Sequence, residues 1–237
     1  MDKIIVFDIW GDYAHFKKIE TTTSPLTYSI PTGTALSGLI AGMMGYQRDL
    51  YYEDFSRENI EMSVKLVKPV NKVRVNQNLI NTANRPYFNL YDQDNPRTQI
   101  PYEYVRDPKY RIYLGLKDEE IFESLSENLR QHKTVFTPSL GLSEHIANFE
   151  FIGKFDPIKK EIEDVEIDSV LPKNKVEINL KDVGEGMRWV VENIPMYMNE
   201  ERVVEEYADV IFDSNGNSIS LEEAEYYEVG DDNVVFL

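Results

Sequence analysis

The chain has 237 residues, 42% apolar and 12% aromatic, enough to bury one large core or two small ones. It contains no cysteine, which excludes disulfides and every thiolate metal or nucleophile site, and its formal charge is −17. The opening MDKIIVFDIWGDY sets Asp2 and Asp8 around four consecutive apolar residues, too short and too acidic for a signal peptide. No window approaches the roughly 18 apolar residues of a membrane helix, so a cytoplasmic chain without a membrane partner is expected.

Lys3 to Ile9 (KIIVFDI) is a short apolar run closed by Gly11 and reads as a buried strand. Residues 28–45, YSIPTGTALSGLIAGMMG, carry no charge and read as a helix entered through Pro31, with Thr32 or Thr34 as N-cap. Gly38, Gly42 and Gly45 share one face at i, i+4, i+7. Ile60, Met62, Val64 and Leu66 alternate with polar residues, as do Tyr110, Ile112, Leu114 and Leu116, giving a second and a third strand. Asp118 caps an acidic first turn, Ile121, Phe122, Leu125 and Leu129 fall at helical spacing, and Arg130, His132 and Lys133 sit where the helix dipole favours cations. Phe149, Phe151 and Phe155 alternate into a fourth strand that Asp156-Pro157 ends.

The order is β-α-β-β-α-β, the split βαβ arrangement of α+β, ferredoxin-like (RRM-like) domains, here over residues 1–156 with residues 71–107 inserted between the central strands. An insertion of that size suits a protruding arm or binding loop, and KVRVNQNLI (72–80) alternates as a hairpin strand does. Beyond Pro157, the stretches 161–170, 187–198 and 207–213 predict a smaller, acidic, β-rich domain over 157–237.

Charge is divided along the chain. Residues 1–116 carry 14 Lys and Arg against 13 Asp and Glu, whereas residues 117–237 carry 11 against 29, so the acidity belongs to the second half. Residues 62–91 hold Lys65, Lys68, Lys72, Arg74 and Arg85 and no acid. This basic island is either a solvated hairpin or a phosphate-contacting surface. The glycine-striped helix likewise admits two readings. A face without Cβ atoms permits close backbone approach, and a mouth formed by Thr32, Gly33 and Thr34 offers N–H groups and hydroxyls to a phosphate chain. The segment has neither the GK[ST] of a P-loop nor a G-x-G-x-x-G fingerprint, so nucleotide cofactors are not expected. His15, His132 and His145 are the only histidines, none at metal-ligand spacing.

Gly11-Asp-Tyr-Ala-His-Phe, the segment 28–45, Tyr113-Leu-Gly-Leu and Pro138-Ser-Leu-Gly-Leu-Ser-Glu-His together resemble the Cas5 family of CRISPR-associated proteins, most closely its type I-B members. The likeness spans most of residues 1–155 and is most specific in the first fifty. It implies a subunit of the Cascade surveillance complex, with a ferredoxin-like palm and a thumb hairpin, that caps one end and holds the 5′ handle of the CRISPR RNA. The implied partners are that handle, a backbone subunit met by the thumb, the large subunit and, indirectly, target DNA, with no metal or cofactor. Bases stacked on aromatic or Arg planes and phosphates met by cations would recognise such a handle. The residues suited in kind are Tyr13, Phe16, Lys17, Thr32, Gly33, Thr34, Lys72, Arg74, Asn76, Arg85, Tyr87, Arg111, Ser143 and His145. Type I-C members of the family are instead metal-independent endoribonucleases using Tyr, Lys and His. Tyr46, His132 and Lys133 supply those residue types, although a Lys and a His at a helix C-terminus have an electrostatic reason of their own to be there. No catalytic residue is assigned.

Overall fold

The computed structural model describes residues 3–21, 23–81, 96–176 and 186–237. The chain begins with β1 (Ile4–Trp10), followed by three two-residue strands, β2 (Tyr13–Ala14), β3 (Phe16–Lys17) and β4 (Thr27–Tyr28), and then α1 (Gly33–Met44). Next come β5 (Ile60–Leu66), β6 (Lys72–Ile80), β7 (Arg97–Arg106), β8 (Lys109–Leu116), α2 (Glu119–Arg130) and β9 (Asn148–Phe155). The remainder is β10 (Ile158–Ile167), β11 (Leu171–Pro172), β12 (Trp189–Met198), β13 (Val204–Asp213), β14 (Ile219–Val229) and β15 (Asp232–Val234).

Four strands make one antiparallel sheet in the order β5-β8-β1-β9. Because side chains alternate across a strand, β1 presents Ile5, Phe7 and Ile9 to one face and Ile4, Val6 and Asp8 to the other. The first set shares a core with Leu36, Ile40 and Met43 of α1 and Phe122, Leu125 and Leu129 of α2. The second packs with Tyr113, Val229, Val234 and Phe236. Both faces are therefore covered, which is why β1 reads as a continuous apolar run.

Each helix ends for a local reason. Thr32 caps α1, its Oγ1 accepting from the Ala35 N–H. Gly45, at φ 85°, closes α1 in a Schellman turn, in which its N–H meets the Gly42 carbonyl and the Tyr46 N–H meets that of Ala41. Asp118 caps α2 by accepting from Glu120 and Ile121, and α2 ends at Arg130, with His132 beyond it at φ 53°. Of the glycine stripe only Gly45 makes the close contact that one of its two readings expects, since a Cβ there would lie 2.8 Å from Val135 Cγ2, and the Val135 and Phe136 N–H groups bond the last carbonyls of α1. A Cβ on Gly42 would meet nothing within 4 Å and one on Gly38 would make ordinary contact with the Tyr51 hydroxyl, whereas one on Gly33 would lie 2.5 Å from the Met196 carbonyl oxygen.

Residues after Asp156 form two three-stranded sheets, β10-β14-β15 and β11-β13-β12. Ile194, Met196, Tyr197, Val210 and Phe212 join the same apolar cluster as the two helices. On the opposite sheet face Asp232 accepts from Lys65, Arg111 and Tyr113, while Asp8 binds Lys109 and Arg111. Burial alone would push the Asp232 carboxyl up, but the hydrogen bonds from Lys65, Tyr113 and Arg111 outweigh it and hold the group below its usual range.

Candidate functional site

The N-terminus of α1 opens into a cleft of about 400 Å³. Its backbone position is set by Gly33, which lets the helix meet the β12 main chain directly. Thr32 takes the Ala35 N–H on Oγ1 at 3.2 Å and the Leu36 N–H on its carbonyl at 2.9 Å. The Gly33 and Thr34 N–H groups have no partner among the described residues and stand at the positive end of the helix dipole. Lys17 and Thr34 supply polar groups to the rim, and Phe16, Tyr28, Pro195, Met198 and Tyr207 supply apolar walls. This is a small anion-favouring mouth beside a mostly apolar slot.

Buried Glu192 of β12 braces the back of that mouth. It accepts from the Ser29 N–H at 2.8 Å, the Ser29 hydroxyl at 3.1 Å and Lys18 Nζ at 3.1 Å, with Lys72 Nζ at 3.5 Å. Lys18 also lies over the Tyr28 ring, 4.9 Å from its centroid. The adjacent Lys17 alternates outward on β3 and stays exposed at the cleft.

β6 and β7 form a hairpin paired from Lys72–Val105 to Ile80–Arg97, about 30 Å of strand at 3.4 Å per residue. Most of β6 is exposed, including Val75 and Ile80. The root is fixed by Lys72, which donates to the Thr27 carbonyl at 2.8 Å, and by an aromatic box. Tyr102 and Tyr104 stack at 6.0 Å, Tyr104 meets His145 edge-on at 4.9 Å, and Tyr13 lies 5.9 Å from Tyr104. His15, 1% exposed, faces Tyr102 and Tyr104, and its Nδ1 pairs with the Glu103 carbonyl at 2.7 Å. Nε2 of His15 and of His145 is buried without a hydrogen-bond partner. Burial lowers the pKa of both imidazoles and favours their neutral forms. The loop carrying His145 is clamped on His15, because Gly141 at φ 94° leaves room for the His15 carbonyl where a Cβ would sit 2.0 Å away.

The expected RNA-contact residues thus fall into separate places. Phe16, Lys17, Thr32 and Thr34 line the α1 cleft, with Gly33 behind it. Tyr13 and His145 belong to the aromatic box, and Ser143 is exposed on the same loop. Lys72 is held at the hairpin root, while Arg74, with a side chain 70% exposed, and Asn76 lie farther out. Arg85 and Tyr87 lie outside the described residues. Arg111 sits on the sheet face away from both helices, its guanidinium bound to Asp8 at 2.8 Å and Asp232 at 3.0 Å.

Of the residues that the endoribonuclease reading uses, Tyr46 packs on the main core, and burial with an Asp54 hydrogen bond pushes its hydroxyl up to about 12. His132 stacks on Phe149 at 4.2 Å. Sequence patterns missed His15, Glu192 and the cleft walls from β12 and β13. Pairing between residues near 30 and near 195 leaves no local periodicity to read.

A family model described as CRISPR-associated protein (Cas_Cas5) matches residues 4–216. A chain of the structure described as a CRISPR RNA-guided surveillance complex has a similar fold, with a TM-score of 0.57 and 11% identity, covering 92% of this chain and 91% of that one. A CRISPR protein from Archaeoglobus fulgidus is also similar, with a TM-score of 0.52 and 17% identity over 98% of this chain and 97% of that one. No curated protein matches.

Proposed function

The chain belongs to the Cas5 family of CRISPR-associated proteins, and from that membership we propose that it is a non-catalytic, cytoplasmic subunit of a type I CRISPR effector complex, of the type I-B kind, that holds and caps the 5′ handle of the CRISPR RNA. In this reading the β5-β8-β1-β9 sheet with α1 and α2 is a ferredoxin-like palm, and the β6–β7 hairpin is its thumb. The observation that carries the reading is the α1 mouth. The unpaired Thr34 N–H, the Thr34 hydroxyl, which shares a hydrogen bond with Thr32 Oγ1 at 3.1 Å, and Lys17 border an apolar slot, which is the pairing of phosphate contact and base accommodation that a single strand needs. The exposed apolar residues of the hairpin, Val75, Leu79 and Ile80, suit a backbone subunit, and the acidic second half suits a basic surface of the large subunit, through which target DNA is met indirectly.

The test is RNA binding by the full chain carrying Lys17→Ala with Thr34→Val. Affinity should fall, and the slope of log affinity against log salt should lose about 0.7 for the lost phosphate contact. Wild-type affinity and slope in this variant would reject the α1 mouth as the site.

A further inference from the structure

A second cleft, of about 460 Å³, opens on the other side of β13 residue Tyr207, and it is more polar than the first. Its cations are Arg57, Lys173 and Lys175. Arg57 is paired with Glu206 at 3.0 Å, and Asp209, which accepts from the neutral Asn193 amide at 2.8 Å, keeps its negative charge in the lining. Lys175 donates at 2.8 Å to the Phe236 carbonyl, which leaves its charge uncompensated, and Lys173 has no carboxylate partner among the described residues. Two lysines without a carboxylate partner among the described residues therefore line one cleft, in the half of the chain whose net charge is −18, counted as 11 cations against 29 acids.

The placement of these lysines is not accidental to the fold. The Lys173 N–H bonds to the Asp209 carbonyl, which fixes it beside β13 just two residues from Tyr207, about 6.6 Å along the strand. Tyr207 is 46% exposed and lines both this cleft and the one at the α1 mouth. An aromatic ring shared by two clefts, with cations beyond each, is the pattern that carries a single strand, since every base offers a face to stack and every linkage a phosphate. An acidic peptide would account for the lysines but not for the shared ring.

We propose that the second cleft takes the next nucleotides of the single-stranded RNA held at the α1 mouth, a base lying on Tyr207 and a phosphate between Lys173 and Lys175. This rests on the RNA-binding reading above. It makes the acidic C-terminal part an extension of the RNA path rather than a surface that only repels nucleic acid.

The experiment compares the full-length wild type, the mouth variant above, Lys173→Ala with Lys175→Ala, and Tyr207→Leu. Each is titrated with mixed-sequence single-stranded RNAs of about 4 and about 12 nucleotides between about 50 and 300 mM salt. The lysine pair should lose about 0.7 to 1.4 from the salt slope on the longer RNA and nothing on the shorter one. Tyr207→Leu should weaken binding roughly 5- to 150-fold. Both lysines are exposed, so folding is not at issue for that pair. If the lysine pair binds the longer RNA as wild type does while the mouth variant is weakened, this inference falls and the mouth reading stands. If wild type binds neither RNA, both fall. Oligo-glutamate binding that the lysine pair loses, together with wild-type binding of the longer RNA by that pair, would assign the cleft to an acidic protein segment and overturn the proposal.

Discussion

Replacing Gly33 by alanine probes the backbone contact on which the α1 mouth depends. The added Cβ would lie 2.5 Å from the Met196 carbonyl oxygen, 2.8 Å from its Cα and 3.0 Å from its carbonyl carbon. All three are main-chain atoms of β12, a paired strand, so no side-chain rotation relieves the overlap. The helix mouth or the strand must move, and overpacking of this kind costs about 1 to 3 kcal/mol. For a chain of this size that lowers the melting temperature by roughly 2 to 12 °C. Gly42→Ala is the internal control. Nothing lies within 4 Å of its Cβ position, so the substitution only improves helix propensity, stabilising by about 0.5 to 1 kcal/mol. Thermal unfolding followed by circular dichroism, with chemical denaturation as a check, measures both. A Gly33→Ala protein that melts with wild type, or a Gly42→Ala protein that melts several degrees lower, would refute the contact and with it the placement of the mouth.

Asp232→Ala removes the carboxylate that Lys65 and Arg111 share, leaves them with Asp168 and Asp8 respectively, and strips the buried Tyr113 hydroxyl of its acceptor, so it should destabilise by about 1 to 3 kcal/mol; denaturant unfolding within about 0.5 kcal/mol of wild type would contradict it. Because burial lowers the pKa of His15 and His145, the folded state favours neutral imidazole, so their contribution is fully present above the unfolded value of about 6.5 and is lost as pH falls below it. His15→Gln should therefore flatten the pH dependence of melting between about pH 7 and 5, and an unaltered profile would sink that assignment. Lys72→Ala should lower stability through its lost bond to the Thr27 carbonyl, whereas Arg74→Ala should leave melting unchanged, and equal effects would contradict their different settings.

Much of the four-stranded sheet and its two helices was legible because local chemistry and tertiary packing agree. The apolar run at 3–9, the alternation at 60–66 and 110–116 and the capped amphipathic pattern after Asp118 each mark an element within one to three residues of where it lies. The two-residue strands β2 to β4 are too short to show a period. β14 escaped notice because acidic residues interrupt its apolar side, although Ile219, Leu221, Ala224 and Tyr226 are buried. Within the site, the hydroxyls at Thr32 and Thr34 were visible as a helix start. Gly33 was legible as part of that mouth but not as the closely packed glycine, since only the approach of Met196, more than 160 residues away, makes a Cβ there impossible to place. Tyr207 and Glu192 have the same character, polar or aromatic residues in an acidic stretch whose roles depend on partners from the first fifty residues.

The most direct test of the central claim is to tag the chain in a host that carries its effector subunits, purify it under mild salt, and sequence the RNA that accompanies it. A handle-holding subunit predicts co-purifying subunits and RNAs that share one fixed 5′ segment, with the Lys17→Ala, Thr34→Val protein recovering markedly less of them. Recovery of no RNA, or of RNAs with unrelated 5′ ends, would contradict it.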